Sequence, residues 1–202
     1  MAYSNFTIEE VLKTFQLETD EAADISSEIE SIVPSEHLTT TLSRNVPLAL
    51  AIGTEKAKSE LIVTNVLVEL REKFEQRISL FSGIDFNVDV EKGLTGVCDF
   101  LISNSPTQFY LEASIIIVLV EAKKDEPTTG FGQCIAEMLA AQHFNTQKGN
   151  DIPVIYGAST TGTVWQFLKL EGQQLYIDKA PYSIGQCDKI LGVLSRMVEQ
   201  EV

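Results

Sequence analysis

The order of the predicted secondary-structure elements indicates an α/β fold with a mixed β-sheet flanked by helices. One long helix is predicted over residues 54–75, three strand-like segments follow it, and another helix precedes the last strands. Elements that alternate in this way form a layered sheet with helices on its faces. The segment Ser114–Lys123 contains an uninterrupted run of Ile, Val and Leu, which is typical of a central strand covered on both faces.

Chain length and composition favour a single domain of ordinary size with a substantial hydrophobic core. The chain has 202 residues, of which 44% are hydrophobic and 22% are charged. Its formal net charge of −14 counts against a protein that binds nucleic acid through a basic surface, because phosphate contacts need Lys and Arg. The acidity is concentrated at the start: residues 1–40 hold nine acids and one base, whereas the other 162 residues have a net charge of only −6.

Cysteine content and the lack of long apolar segments predict a cytoplasmic location. Cys98, Cys134 and Cys187 are widely spaced and odd in number, so we expect reduced thiols in the core rather than a disulfide framework or a zinc cluster. Residues 1–30 lack the basic start and apolar run of a signal peptide, and no apolar run is long enough to span a bilayer. We therefore expect no membrane partner.

The chain is predicted to divide into an acidic helical N-terminal extension, residues 1–53, and a main domain, residues 54–202. Within the extension, the spacing predicts a helix over 6–16 that starts with a capping box. A second, acidic helix is predicted over 20–31. Residues 35–53 contain a proline and are predicted as a short helix and a loop.

Apolar periodicity predicts the remaining elements of the main domain. Two strands, Ile84–Val90 and Gly96–Ser103, are predicted to pair as a hairpin around the turn Glu91–Gly93. Pro127–Gly132 is predicted as a loop and Gln133–Gln147 as a helix. Three further strands and a final amphipathic helix are predicted at Pro153–Ser159, Thr163–Leu170, Gln173–Ile177 and Ile184–Glu201.

Glu121, Ala122 and Lys123 end the predicted central strand and are the sharpest candidates for chemistry. Residues two apart on a strand point to the same face, so Glu121 and Lys123 are expected side by side where the strand leaves the core. A carboxylate there can hold a metal while the ammonium lies beside it. The alternative is a strand end that emerges into water with both charges merely solvated.

Asp99 is a carboxylate within an otherwise apolar strand, on the same predicted face as Leu101. A buried charge needs a partner or a metal, because burying it alone is costly. The predicted hairpin makes this strand a plausible neighbour of the strand that ends at Glu121, so the two carboxylates could meet around one cation. Magnesium suits such oxygen ligands. The alternative is an edge-strand Asp in water.

Glu60 and Gln133 could join the same site. Glu60 lies three residues before Val63 and seven before Leu67, which predicts that it faces the core side of its helix. The alternative is a Glu favoured at a helix start by the helix dipole. Gln133 opens the helix after the loop that follows Lys123, so it could reach the site.

Together these residues resemble the PD-(D/E)XK nuclease superfamily, which includes many restriction endonucleases. The core of that family is a helix carrying an acid, a three-strand meander, a crossover helix and a further strand. The matching residues here are Glu60, Asp99, Glu121, Lys123 and Gln133. The resemblance covers roughly residues 54–160 and implies a restriction endonuclease-like fold.

Residues 136–140 are similar to the helix that follows the lysine in type I restriction subunit N-terminal nuclease domains. Two features depart from the family pattern. Cys98 stands where the name-giving proline is usually found, and the 22-residue spacing from Asp99 to Glu121 is long. The extra length corresponds to Asn104–Glu112, which is expected to be an exposed loop near the substrate or in a dimer contact.

The resemblance implies a magnesium site, in which Mn²⁺ could substitute for Mg²⁺. Asp99 and Glu121 would bind the metal with help from the backbone carbonyl of Ala122. Glu60 would join directly or through a water molecule. This ligand set is what the family pattern implies for the present chain.

The resemblance also implies a reaction, the in-line hydrolysis of a phosphodiester bond in nucleic acid, with DNA as the expected substrate. Lys123 would lower the pKa of the attacking water or steady the developing charge, and Gln133 would orient the water or the lysine. A homodimer or a partner subunit could supply the basic surface that this chain lacks. Two alternatives stay open: a non-catalytic nuclease-fold binding or assembly module, and an unrelated α/β enzyme or interaction protein.

Overall fold

The computed structural model describes residues 2–26, 29–75, 77–112, 114–121, 126–150 and 152–199, without the side chains of Ala22 and Glu121. Ala122 and Lys123, two of the predicted site residues, lie outside the described residues. Within the described residues, no helix combines the length and the apolar composition needed to cross a bilayer.

The strands of the described residues form one eight-stranded mixed sheet. Its strand order is β1-β7-β6-β5-β4-β3-β2, with β8 paired to β6 beside this path. β1 pairs in parallel with β7, β4 pairs in parallel with β5, and the other neighbours are antiparallel. In chain order the strands are Glu18–Ala23, Ser79–Asp85, Val97–Ser103, Ile115–Glu121, Val154–Thr160, Val164–Glu171, Gln174–Asp178 and Tyr182–Ser183.

Helices cover both faces of this sheet, which confirms the predicted α/β class with a sheet flanked by helices. The helices α1 to α6 are Ile8–Phe15, Glu36–Ile52, Glu55–Lys58, Thr64–Lys73, Phe131–Gln147 and Cys187–Glu199. A π-helical turn, Ser59–Val63, joins α3 to α4. α2, α4 and α6 pack on one face, called here the α4/α6 face, and α1 and α5 pack on the other, called the α5 face.

β4 is the central strand that its sequence predicts. Residues 115–120 are all buried, and they belong to the hydrophobic clusters on both faces of the sheet. Leu119 packs on the α4/α6 face, and Val118 and Val120 pack on the α5 face. Each fully buried Val, Leu or Ile side chain contributes roughly 1.5–3 kcal/mol to folding. This strand therefore holds the two helical layers together.

One helix predicted in the N-terminal segment is a strand in the structure. α1 forms with the expected capping box between Thr7 and Glu10. The acidic helix predicted over 20–31 is wrong, because Glu18–Ala23 is a strand, β1, that pairs with the edge of β7. Local helix propensity is overridden there by backbone pairing with a free sheet edge. The exposed acidic side chains of this edge strand discourage the addition of another chain.

α2 is longer than the short helix predicted over 35–53. It runs through Pro47 to Ile52, starts with a cap from the Ser35 side chain and ends at Gly53, whose φ of 76° favours glycine. Pro47 lacks the N–H that a helix interior uses, which costs one hydrogen bond. The buried side chains on the core side of this helix outweigh that loss, namely Leu38, Leu42 and Ala49.

The hairpin of β2 and β3 forms as predicted, but β2 begins earlier than the predicted Ile84–Val90. Leu80 pairs with Ile102, so the strand starts at Ser79 and ends at Asp85. The residues after β2 bury two apolar side chains, Phe86 and Leu94, which accounts for their strand-like pattern.

Candidate active site

The register of β3 on β4 brings two predicted site positions to the same end of neighbouring strands. Phe100 pairs with Leu119, so Asp99 and Glu121 lie one and two residues beyond that pair. Glu121 is the last residue of β4 and pairs with Thr160 of β5. The side chain of Glu121 and the whole of Lys123 lie outside the described residues, so their arrangement around Asp99 stays a prediction.

Asp99 lies where the alternation of β3 is interrupted. Cys98 and Leu101 both pack on the α5 face, whereas Phe100 packs on the α4/α6 face. In a regular strand Cys98 and Phe100 would share a face, so the strict alternation predicted for this strand is wrong at Asp99. Gly83, in the left-handed region with a φ of 62°, lies between the two β2 residues that pair with Phe100 and Cys98.

Glu137 of α5 is a titratable group that the structure brings close enough to Asp99 for the two carboxyls to interact electrostatically. Its side chain is completely buried, and the Nε2 of Gln133 donates a hydrogen bond of 2.9 Å to its Oε1. Its Oε2 makes no hydrogen bond of ordinary geometry with a described residue. Glu137 is not among the site residues that the sequence predicts.

The pKa of Glu137 is raised from 4.5 to about 8, mainly by burial and to a smaller extent by the nearby Asp99 carboxyl. The Gln133 amide and the Cys98 thiol act in the opposite direction. Desolvation therefore dominates, as expected for a carboxyl in a low-dielectric interior. At neutral pH Glu137 is therefore mostly protonated.

The thiols near Glu137 are inert. Burial, followed by the neighbouring Glu137 carboxyl, raises the pKa of both Cys98 and Cys134, so neither forms the thiolate that a nucleophile requires. The Sγ of Cys134 lies 3.8 Å from the carbonyl oxygen of Ala158, to which it donates. All three cysteines of the chain are free and buried, which confirms the predicted core thiols.

Gln133 lies in the first turn of α5, as predicted, and is bonded to Glu137, while its role at the site stays a prediction. α5 begins at Phe131, two residues earlier than predicted, after a short 3-10 turn at Pro127–Gly130. The structure thus brings Asp99, Gln133 and Glu137 together. A signal for Glu137 exists in the sequence, because it is a single acid within an apolar helical stretch and follows Gln133 by four residues.

Glu60 is not brought into this cluster. Its side chain is 62% exposed and forms an ion pair of 3.2 Å with Lys56, so the prediction that it faces the core is wrong. Val63 and Leu67 are buried as expected. The π-helical turn that contains Glu60 adds a residue to one turn, which shifts residues before it out of phase with those after it.

Lys58, the last residue of α3, nevertheless lies at the same end of the sheet as Glu121. A Cβ placed on Gly162, in the turn between β5 and β6, would lie 2.9 Å from the Cβ of Lys58. That turn follows Thr160, the strand partner of Glu121. Lys58 therefore borders this end of the sheet, in a chain that is acidic overall.

The donor atoms around Asp99 suit a hard cation, since carboxylate and amide oxygens are the ligands that Mg²⁺ prefers. Within the residues that the structure describes, no three His, Cys, Asp or Glu side chains are grouped so as to hold a metal. That finding does not extend to the Glu121 side chain. The described part of the cluster supplies two carboxyls, from Asp99 and Glu137.

Comparison with known proteins adds no relative: no family model matches the chain, and no curated protein matches it.

Proposed function

We propose that this chain is a magnesium-dependent nuclease that hydrolyses phosphodiester bonds, with DNA as the expected substrate. One observation carries the proposal. Asp99, a partly buried carboxylate in an apolar strand, lies against a buried Gln133–Glu137 pair, at the end of the sheet where β4 delivers Glu121. Such a cluster has no evident packing role, since burying two carboxyls side by side costs free energy.

The topology supports a restriction endonuclease-like fold as part of this proposal. β2, β3 and β4 form an antiparallel meander, α5 crosses over, and β5 returns in parallel to β4. The α3–α4 segment precedes the meander. This is the order of the core of the PD-(D/E)XK superfamily, which the sequence resembles.

We assign Asp99 and Glu121 as the metal ligands, with the carbonyl of Ala122 completing the protein side of the site. When bound, the metal would neutralise the phosphate and lower the pKa of the attacking water. We leave Glu60 out of the ligand set, because its carboxylate is exposed and paired with Lys56.

We assign the other residues of the cluster to orienting the attacking water and to balancing charge. The Nε2 of Gln133 is committed to Glu137, so its Oε1 stays available to accept a hydrogen bond from a water molecule or from Lys123. Neutral Glu137 holds that amide in one orientation without adding a second negative charge beside Asp99. Lys123 follows Glu121 by two residues and would steady the charge that develops on the phosphate.

Calorimetric titration with Mg²⁺ and Mn²⁺ tests the ligand assignment. The wild type is expected to bind one ion, and Asp99→Asn and Glu121→Gln are expected to lose binding. Asp85→Asn, which changes an exposed aspartate at the end of β2, is the matched control and should bind as the wild type does. Binding that persists in both Asp99→Asn and Glu121→Gln would contradict the assignment.

Cleavage assays test the reaction itself. Labelled single-stranded DNA, duplex DNA and RNA are incubated with Mg²⁺, and Lys123→Met serves as the variant that should bind metal but cleave at least about a hundredfold more slowly. If the wild type binds metal but cleaves none of the three substrates, the nuclease proposal is wrong, and the alternative of a non-catalytic nuclease-fold module is favoured.

A further inference from the structure

The N-terminal residues make contacts on both sides of the candidate site. Residues 3–6 lie between the β2–β3 hairpin, which carries Asp99, and the first turn of α5, which carries Gln133. We infer that residues 3–6 are a positioning element of the site, which sets the β3 carboxylate against the Gln133–Glu137 pair. The catalytic consequence of this inference rests on the proposed nuclease function, but the structural link does not.

Tyr3 fastens the segment to the hairpin at two points. Its backbone N–H donates to the carbonyl of Thr95 over 2.9 Å, and its hydroxyl donates to the carbonyl of Phe86 over 2.7 Å. The side chain is only 1% exposed. Its ring lies against Gly96, where an added Cβ would come within 3.0 Å of the ring atom Cδ2. The glycine therefore permits the close approach, three residues before Asp99.

Phe6 fastens the same segment to α5. A Cβ added to Gly132 would lie 2.1 Å from the carbonyl oxygen of Phe6, so the helix and the segment meet backbone to backbone. Phe6 is itself buried and contacts the ring of Phe15 in α1, with ring centroids 6.0 Å apart. Gly132 immediately precedes Gln133, so this contact holds the first turn of α5 at the site.

The phenol of Tyr3 also belongs to the buried surroundings of Glu137. Burial raises the pKa of Tyr3, and the neighbouring Cys98 and Glu137 groups raise it further. The same side chain therefore bonds the hairpin and screens the α5 carboxyl from water. Residues 3–6 link the two elements whose side chains must meet, and a misplacement of about 1 Å can cost a hundredfold in rate.

Two variants, each with a matched control, separate this role from general stability. Tyr3→Phe removes the hydroxyl that bonds Phe86, and Tyr110→Phe removes an exposed hydroxyl that bonds Glu112. Gly132→Ala displaces the Phe6 carbonyl without lowering helix propensity. Gly192→Ala is its control, because Gly192 lies on α6, on the opposite face of the sheet. A Cβ on Gly192 would lie 2.4 Å from the carbonyl oxygen of Glu30, so the substitution creates a similar clash away from the site.

Hydrogen exchange measured by mass spectrometry tests the link, and steady-state kinetics tests its function. Tyr3→Phe is expected to speed exchange in β3 and in the first turn of α5 by roughly five- to tenfold, the effect of one lost buried hydrogen bond. Gly132→Ala is expected to speed exchange in the same two segments, because its Cβ displaces the Phe6 carbonyl. Tyr110→Phe and Gly192→Ala should leave both segments unchanged. Cleavage by the two test variants should show a kcat lowered about tenfold or more at unchanged KM.

The outcomes separate the structural link, the positioning role and the proposed nuclease function. Unchanged exchange in β3 and α5 would overturn the link whether or not the chain is a nuclease. Faster exchange with wild-type kcat would overturn the positioning role. A wild type without metal binding or cleavage would defeat the proposed function, while faster exchange confined to β3 and α5 would still support the link.

Discussion

The Nε2 of Gln133 donates a hydrogen bond of 2.9 Å to the Oε1 of Glu137, one helical turn further along α5. This bond ties the one buried acid of the helix to a residue at its start, and the pKa of that acid is raised in part by Asp99 of β3. The other end of α5 is fastened too, because Asn145 bonds both backbone groups of Ile115 at the start of β4. Polar anchors at both ends thus set this helix on the sheet.

Glu137→Gln is expected to change how stability depends on pH. The ordinary Glu pKa of 4.5 is raised to about 8 in the folded protein. Between these values the unfolded state binds fewer protons than the folded state, so the free energy of unfolding falls as pH rises and levels off above about 8. A shift of this size corresponds to roughly 5 kcal/mol.

Urea denaturation from pH 5 to 9 in metal-free buffer measures this effect. Glu137→Gln should flatten the decline and gain stability over the wild type above pH 8. Glu72→Gln, at an exposed position on α4, is the control and should keep the wild-type slope. Parallel curves for Glu137→Gln and the wild type would show that Glu137 ionises normally in the folded protein.

Asn145→Ala is expected to destabilise the fold by about 2–4 kcal/mol. The side chain is fully buried; its Nδ2 donates to the carbonyl of Ile115 over 2.8 Å, and its Oδ1 accepts from the Ile115 N–H over 3.1 Å. The substitution leaves both backbone groups buried and unpaired. Gln142→Ala, which loses one exposed hydrogen bond to Gly172, should change stability by less than about 0.5 kcal/mol. Equal effects of the two substitutions in thermal or urea unfolding would refute this role for Asn145.

The three thiols are expected to react at different rates with a disulfide reagent at pH 8. Cys98 and Cys134 are fully buried, whereas Cys187 is 8% exposed and lines a surface groove with Pro34 and Val46. Burial raises the pKa of Cys187 to about 12, so even this thiol should react slowly. Denaturant should release three equivalents at once. Cys187→Ser should remove the faster native phase, and its persistence in that variant would contradict the burial order.

Glu60→Gln is expected to leave both stability and metal binding nearly unchanged. Its ion pair with Lys56 is exposed, and such pairs contribute within about 0.5 kcal/mol. Calorimetric Mg²⁺ titration beside Asp99→Asn, the expected loss-of-binding variant, checks this. A comparable loss of affinity in Glu60→Gln would return Glu60 to the ligand set that the family resemblance implies.

Features that depend on neighbours along the chain were predictable from the sequence. α1 starts at its capping box because Thr7 and Glu10 satisfy each other's backbone donors locally. The run of residues 115–120 in β4 is apolar at every position, and a strand covered on both faces buries all of it. The mixed α/β class and the placement of Gln133 at the start of α5 followed from the same kind of pattern.

Features that depend on distant segments needed the tertiary structure. Glu18–Ala23 pairs with a strand more than 150 residues later, and that pairing overrides a helical sequence. The π-helical turn puts Glu60 in solvent although the α-helical period predicts the core. The pKa of Glu137 is raised only when α5 packs on β3, because its burial and its interaction with Asp99 both depend on contacts across the fold. The sequence shows which ionisable residues stand within apolar segments, and tertiary packing determines which of them are buried close to one another.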